Sequence, residues 1–248
     1  MKHRIALVEY LNTFPFYEGM RLTGLDQEME VNRVVPAECA RLFKQNEVDI
    51  SLCPVGALDE MGEYEIVGDY CIGADGPVNT VMLLSHVPLN EINTVKLDSH
   101  SRTSNLLVQI LAKHHWKKEW SYYDKENGVI PDATVMIGDK VFKEKDNFQY
   151  HYDLAVAWKE LTGLPMLFAV WIAKPGISSE PVHKINESFE VGMAHVLNGN
   201  HSLEPWQVDY LTHSISYPLD DHKRKALSLF NAWKEQLQPT MSSNAVIS

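Results

Sequence analysis

A chain of 248 residues with 45% apolar side chains has the length for one large domain or two lobes around a sizeable core. Its 33 acidic against 22 basic residues leave a formal charge of −11, which excludes a basic stripe for nucleic acid and requires any anion site to concentrate positive potential locally. Cys39, Cys53 and Cys71 are an odd count without close pairing, and read as reduced core thiols rather than a disulfide framework.

Arg4–Val8 (RIALV) is a continuous apolar run of strand length, the pattern of a strand covered on both faces. The N-terminal MKHRIALVEYLN holds no apolar stretch long enough for a signal peptide, so the expected location is cytoplasmic. After Glu9-Tyr10-Leu11-Asn12-Thr13, Pro15 suits the first turn of a helix through Gly19 and Leu22. Asn12 and Thr13 stand where α/β sheets present ligand-binding groups, and also where a helix is capped. Val31–Val35 is a second strand, Pro36 opens a helix with Cys39, Leu42 and Phe43, and Val48–Val55 is a third strand. Such strand–helix alternation predicts a parallel sheet. Glu65–Cys71 and Thr80–Ser85 are further strands around a loop marked by Gly73, Gly76 and Pro77. His86-Val87-Pro88 reads as a crossing into a second lobe.

Thr94–Leu97 leads into Asp98–Ser104, after which Leu106, Leu107, Ile110 and Leu111 fall at helical spacing. A strand therefore feeds a hydroxyl-rich turn that opens a helix. The first amides of a helix lack internal partners and carry partial positive charge. With the hydroxyls of Ser101, Thr103 and Ser104 and the Arg102 guanidinium they form a cradle for a carboxylate or phosphate. A plainer reading of the same residues keeps Ser101 or Thr103 as a cap and Arg102 in water. Trp116 and Trp120, four apart, read as a packing stripe. Asp124–Asp132 is turn-like, and Ala133–Ile137 is a strand ending in Gly138-Asp139, either a cleft edge or a tight turn whose aspartate caps the next helix. Met166–Ala173 is a buried strand, far short of the ~20 residues of a membrane span, and is expected to return the chain to the first lobe near residue 168. Helical patterns follow at Asn186–Leu197, at Glu204–Thr212 with Ser202 as cap, and at Asp221–Leu237, before a polar tail at Pro239–Ser248.

Eleven histidines show no metal-ligand spacing: His114 and His115 are adjacent, about 100° apart on a helix. No GxSxG, HExxH or dinucleotide-binding glycine pattern occurs. The remaining chemistry lies in polar turns at strand ends: Asn12-Thr13, the loop ending at Thr80, Ser101–Ser104 and Gly138-Asp139. Neutral donors with one arginine suit a small polycarboxylate. A charge-assisted hydrogen bond contributes about 1.5–3 kcal/mol and a helix terminus roughly 0.3–1.

In series, YLNTFPF (Tyr10–Phe16), DISLCPVGAL (Asp49–Leu58), CIGADGPVNTVMLLS (Cys71–Ser85), LDSHSRTS (Leu97–Ser104), VMIGDKVF (Val135–Phe142) and DLAVAWKELTGLPMLFAVW (Asp153–Trp171) resemble chorismate dehydratase of the futalosine route to menaquinone. The resemblance implies a type II periplasmic-binding-protein-like α/β fold. Two lobes, here 1–86 plus 168–248 and 87–167, are joined by a two-strand hinge with the ligand cleft between them. It also implies the reaction, in which chorismate loses water to give 3-(1-carboxyvinyloxy)benzoate with no cofactor or metal. Asn12, matching the family's YLN asparagine, would orient the reacting hydroxyl or the enolpyruvyl arm. Thr80, at a position usually serine, would bind one carboxylate, and Ser101, Arg102, Thr103 and Ser104 the other, with Gly138 and Asp139 at the same cleft. No matched turn supplies a histidine or lysine base, whereas the substrate's enolpyruvyl carboxylate lies near the C3 proton and is the expected base. Glu9 stands where the family often has serine or glutamine. The expected partner is chorismate alone, with neither nucleic acid nor membrane, and the chain a monomer or homodimer. Alternative readings are 1,4-dihydroxy-6-naphthoate synthase of the same fold and a non-catalytic binding protein for a small carboxylate; YLNT, SRTS and TGLP favour the dehydratase.

Overall fold

Apolar runs become strands wherever both faces are covered. The computed structural model describes residues 2–124, 130–199 and 201–237, and its strands are β1 (Arg4–Val8), β2 (Glu30–Val34), β3 (Ile50–Pro54), β4 (Glu65–Ala74), β5 (Val81–Ser85), β6 (Thr94–Lys96), β7 (Ser121–Tyr123), β8 (Ala133–Ile137), β9 (Tyr150–Asp153), β10 (Met166–Ala173) and β11 (Ser216–Pro218). The helices are α1 (Phe14–Thr23), α2 (Leu25–Glu28), α3 (Pro36–Lys44), α4 (Arg102–Leu111), α5 (Lys140–Glu144), α6 (Leu154–Thr162), α7 (Ser179–Leu197), α8 (Pro205–Asp209) and α9 (Asp221–Lys234). The tail expected at Pro239–Ser248 lies outside the described residues, as does part of the turn expected at Asp124–Asp132.

Two sheets result. The first has the order β11-β4-β10-β3-β1-β2, with β1, β2 and β3 parallel and β10 antiparallel between β3 and β4. The second has the order β7-β6-β8-β5-β9, with β6 parallel to β7 and β8, and β5 antiparallel to β8 and β9. Every residue of β3, β5 and β10 is buried, so these runs show no alternation to betray which sheet they join. That is why the expected crossing at His86–Pro88 is misplaced. β5 belongs to the second sheet, so the chain crosses within residues 75–80, after β4, and returns between Thr162 and Met166, into β10. The lobe boundaries move accordingly from 86 and 168. β4 and β10, from which the two crossings run, are hydrogen-bonded neighbours.

α1 and α7 pack backbone to backbone: a methyl added at Gly19 would lie 1.7 Å from the Ser188 carbonyl oxygen, and one at Gly192 would lie 1.8 Å from that of Pro15. α7 starts earlier than its predicted Asn186, with Pro181 in its first turns. The helix expected over Glu204–Thr212 is α8 followed by a π turn at Tyr210–Ser214, capped not by Ser202 but by Glu204 in a reciprocal box with Gln207. Trp116 and Trp120 pack on each other at 5.5 Å between ring centroids. All three cysteines are buried and unpaired. Among the described residues no helix is long and apolar enough to cross a membrane.

Candidate active site

Three polar turns converge between the sheets on a cavity of about 60 Å3. From the first lobe it is lined by Val8, Tyr10, Asn12, Pro36, Pro54, Ile72, Phe168 and Ala169, and from the second by Thr80, Val81, Ser101, Thr103, Ser104, Ile137 and Gly138, with Val78 in the crossing.

The Asn12 turn is held from below. Buried Thr13 caps nothing; its hydroxyl donates to the carbonyls of Val8 and Tyr10, the latter at 2.9 Å. The Tyr217 hydroxyl donates to the Asn12 carbonyl at 2.9 Å. Asn12 Oδ1 is buried at the cavity with no hydrogen-bond partner. An unsatisfied buried acceptor of this kind is a group waiting for a donor.

Thr80 follows a strained corner, Asn79 at φ +61°. Asp153 fixes that corner by accepting from the Val78 and Asn79 amides at 2.9 and 2.7 Å, while its other oxygen caps α6 through Ala155 and Val156. Burial raises the Asp153 carboxyl above its ordinary range, and the four amides oppose the shift. Thr80 Oγ1 then meets the Tyr210 hydroxyl at 2.8 Å.

Ser101 caps α4, accepting from the Ser104 amide at 3.2 Å and donating to the Ser104 hydroxyl at 2.8 Å. Thr103 Oγ1 accepts from the Gly56 amide at 3.0 Å and donates to the Phe168 carbonyl at 3.3 Å, tying the helix start to the first lobe. These bonds leave the Ser104 hydroxyl hydrogen free to give. Ser101 is therefore a cap, and the capped helix end faces the cavity.

Arg102 does not join it. Its side chain is 46% exposed and pairs with Glu60 outside the cavity. Successive helical residues diverge by about 100°, so burying Ser101, Thr103 and Ser104 turns Arg102 outward. Asp139 is also displaced. It neither lines the cavity nor caps α5; both carboxylate oxygens lie 3.2 Å from the Leu11 amide, a contact across the lobes at the rim of a separate groove of about 920 Å3. Glu9 lines that groove 3.9 Å from Arg33, away from the cavity. Gly138 does line the cavity. At φ +70° it lies so near Tyr10 that a Cβ would sit 3.0 Å from the ring.

Among the described residues, no Asp, Glu, His, Lys, Arg or Cys side chain lines the cavity. Its one titratable group, the Tyr10 phenol, is pushed up to about 12 by burial, reinforced by the charges of Asp98 and Asp139. The walls thus offer neutral donors and acceptors around a helix N-terminus.

The model of the family described as menaquinone biosynthesis matches residues 3–236. The chain belongs to the menaquinone biosynthesis family. It is 27% identical over 190 residues to the chorismate dehydratase of Thermus thermophilus, covering 67% of this chain and 68% of that one. Among solved structures, protein AF1704 from Archaeoglobus fulgidus superposes with a TM-score of 0.74 at 15% identity, covering 95% of this chain and 97% of that one. The Candida albicans CA3427 product, described as having the generic periplasmic binding protein fold, superposes with a TM-score of 0.66 at 13% identity over 96% and 92% of the two chains. At these identities the likeness establishes the fold, which is periplasmic-binding-protein-like, as the motifs implied.

In this family member Asp153, Tyr210 and Tyr217 were not anticipated. An aspartate before Leu-Ala-Val-Ala is an N-cap pattern and marks Asp153; nothing local marks the two tyrosines, which reach the site from the C-terminal segment.

The Asp139 contact yields a test of the closed arrangement. Crowding by the protein raises its carboxyl, opposed by the Leu11 amide and Lys143. The folded protein therefore holds this proton more tightly than the unfolded chain does, so the associated stability is present at low pH and lost as pH rises through the raised value. Asp139→Asn keeps an acceptor for Leu11 and removes the charge. Its melting temperature is expected to equal wild type near pH ~4 and to match or exceed it at neutral pH; a pH series in which the wild type gains on the variant as pH rises contradicts this assignment.

Proposed function

We propose that the protein is a chorismate dehydratase, a hydro-lyase acting in menaquinone biosynthesis. The observation that carries the proposal is the cavity itself: Asn12, Thr80, Ser101 and Ser104 converge on one space that, among the described residues, no carboxylate, histidine, lysine, arginine or cysteine side chain lines. Family membership and the Thermus thermophilus relative support the substrate.

The chemistry suits such walls. The C3–H bond of chorismate breaks, its electron pair forms the last ring double bond, and the C4–O bond breaks; the departing hydroxide takes a proton to leave as water. Aromatisation drives the reaction, so the protein's task is to hold a dianion in one reactive pose. The substrate's enolpyruvyl carboxylate takes the C3 proton and delivers it to the hydroxide. The α4 terminus with Ser104 holds one carboxylate and Thr80 the other, while Asn12 orients the reacting hydroxyl. The cavity is far below the ~300–1,000 Å3 usual for a small-molecule site, so the lobes part along the β4 and β10 crossings to admit substrate, releasing Leu11 from Asp139 and Tyr10 from Gly138.

Purified protein mixed with chorismate is expected to abolish the diene absorbance and give a product lighter by one water. A binding protein fits the same neutral walls; ligand-induced stabilisation without loss of absorbance establishes that reading instead, and no effect at all refutes both. Because its guanidinium engages Glu60, Arg102→Ala is expected to leave KM within about threefold of wild type. A rise of ~10-fold or more, worth about 1.4 kcal/mol, returns Arg102 to the substrate.

A further inference from the structure

We infer that the outer groove is a second binding site, for an aromatic carboxylate, reached from the reaction cavity past Tyr10. The inference rests on the dehydratase reading for its natural ligand, because that reaction turns a non-aromatic dianion into an aromatic one. The groove holds about 920 Å3, within the ~300–1,000 Å3 usual for a small-molecule site, whereas the cavity behind it holds about 60 Å3. Tyr10 lines both spaces, and its ring closes on Gly138 of the other lobe. When the lobes part at that contact the cavity opens into the groove, so product leaving past Tyr10 meets the groove walls next.

Two features of those walls select the ligand. The first is ring surface from both lobes. Trp206 of α8 meets Phe142 of α5 at 4.7 Å between ring centroids, yet its side chain remains 48% exposed. Phe14 and Tyr17 of α1 line the same groove. A planar ring stacks on such surfaces by offset or edge contact, and a puckered one does so less well. The second feature is charge. The acids of the groove are engaged: Glu9 lies 3.9 Å from Arg33, Asp139 accepts from the Leu11 amide at 3.2 Å, and Asp209 lies 3.1 Å from His213. Lys143 and Lys145 line the groove and, among the described residues, form no ion pair or hydrogen bond; Lys143 acts on Asp139 only at longer range. In a chain of net charge −11, two such lysines beside exposed indole surface complement an anion that carries a ring.

Isophthalate, a rigid aromatic dicarboxylate with no hydroxyl to lose, probes the groove without turnover. Wild-type protein is expected to bind it with quenching of tryptophan fluorescence, and to bind cyclohexane-1,3-dicarboxylate about fivefold more weakly. Trp206→Phe is expected to abolish the quench while keeping affinity within about threefold. Lys143→Gln combined with Lys145→Gln is expected to weaken isophthalate about tenfold. Asn12→Asp, which places a charge in the inner cavity instead, is expected to leave it within about twofold. The natural ligand is tested in turnover: the aromatic product is expected to inhibit in a mixed pattern against chorismate, relieved by the paired lysine changes. Absence of isophthalate binding, binding without the quench, a quench that survives Trp206→Phe, or a loss confined to Asn12→Asp overturns the site. Purely competitive product inhibition overturns the assignment of its natural ligand. If wild-type protein binds isophthalate at Trp206 but leaves chorismate unchanged, the dehydratase reading has failed and the groove stands as an aromatic carboxylate site.

Discussion

Asn12→Asp is expected to lower kcat/KM for chorismate by about three orders of magnitude while leaving the melting temperature within a few degrees of wild type. The change is nearly isosteric, so the loss is electrostatic. A carboxylate about 4 Å from a substrate carboxylate, at an effective dielectric constant of about 20, opposes it by ~4 kcal/mol, or close to 10³ in rate. No cation lines the cavity to absorb the new charge among the described residues. The fold, by contrast, is held at this turn by Thr13 and Tyr217 through backbone carbonyls, and neither bond uses the Asn12 side chain. Burial favours the neutral acid, so turnover is expected to recover in part as pH falls and residue 12 takes up a proton. Retained turnover at neutral pH would remove the amide from the mechanism.

What the chain spells out locally and what it hides divide along the same physical line. β1, β3 and β10 were legible because strands covered on both faces are continuous apolar runs, and the turns after them because helix starts select Pro, Ser and Thr. Sheet membership was not: nothing in VMLLS says whether β5 pairs with β4 or β8. The failure at Arg102 is one of helical phase. Counting Leu106 into the apolar stripe places Arg102, four residues earlier, on the inward face. In the structure Leu106 is only half-buried and Val108 is fully buried, which rotates the stripe onto Thr103, Ser104, Leu107 and Leu111. The Asp139 expectation failed differently, since a carboxylate beside a cavity is directed by whichever amide it meets, here Leu11 from the other lobe. Tyr210 and Tyr217 lie 130 and 205 residues from their partners, and a contact at that separation leaves no periodic trace.

The second large effect lies outside the cavity. Gly19→Ala is expected to lower the melting temperature by roughly 6–12 °C and kcat with it. Most Gly-to-Ala changes inside a helix stabilise it, so the sign here rests on the α1–α7 contact. A methyl at Gly19 would lie 1.7 Å from the Ser188 carbonyl oxygen and 3.1 Å from the Gly192 amide nitrogen. Both are backbone, so no side-chain rotation relieves the clash, and the helices must separate by well over 1 Å. Separation loosens the packing of Phe16 against Phe189 and Trp171, whose ring centroids lie 4.5 and 5.5 Å away. Overpacking of this kind costs about 3 kcal/mol, at some 2–4 °C per kcal/mol for a chain of this size. α1 begins two residues after Asn12, so the same displacement moves the amide relative to Thr80, and an error near 1 Å at a reacting group can cost about 10² in rate. Gly24→Ala is the control: at φ +76° with no atom within 4 Å of an added Cβ, it incurs about 1–2 kcal/mol of backbone strain and leaves the α1–α7 contact untouched. Its kcat is expected to equal wild type. If Gly19→Ala melts no lower than Gly24→Ala, the helices accommodate the methyl and the close approach is not what holds α1 in place.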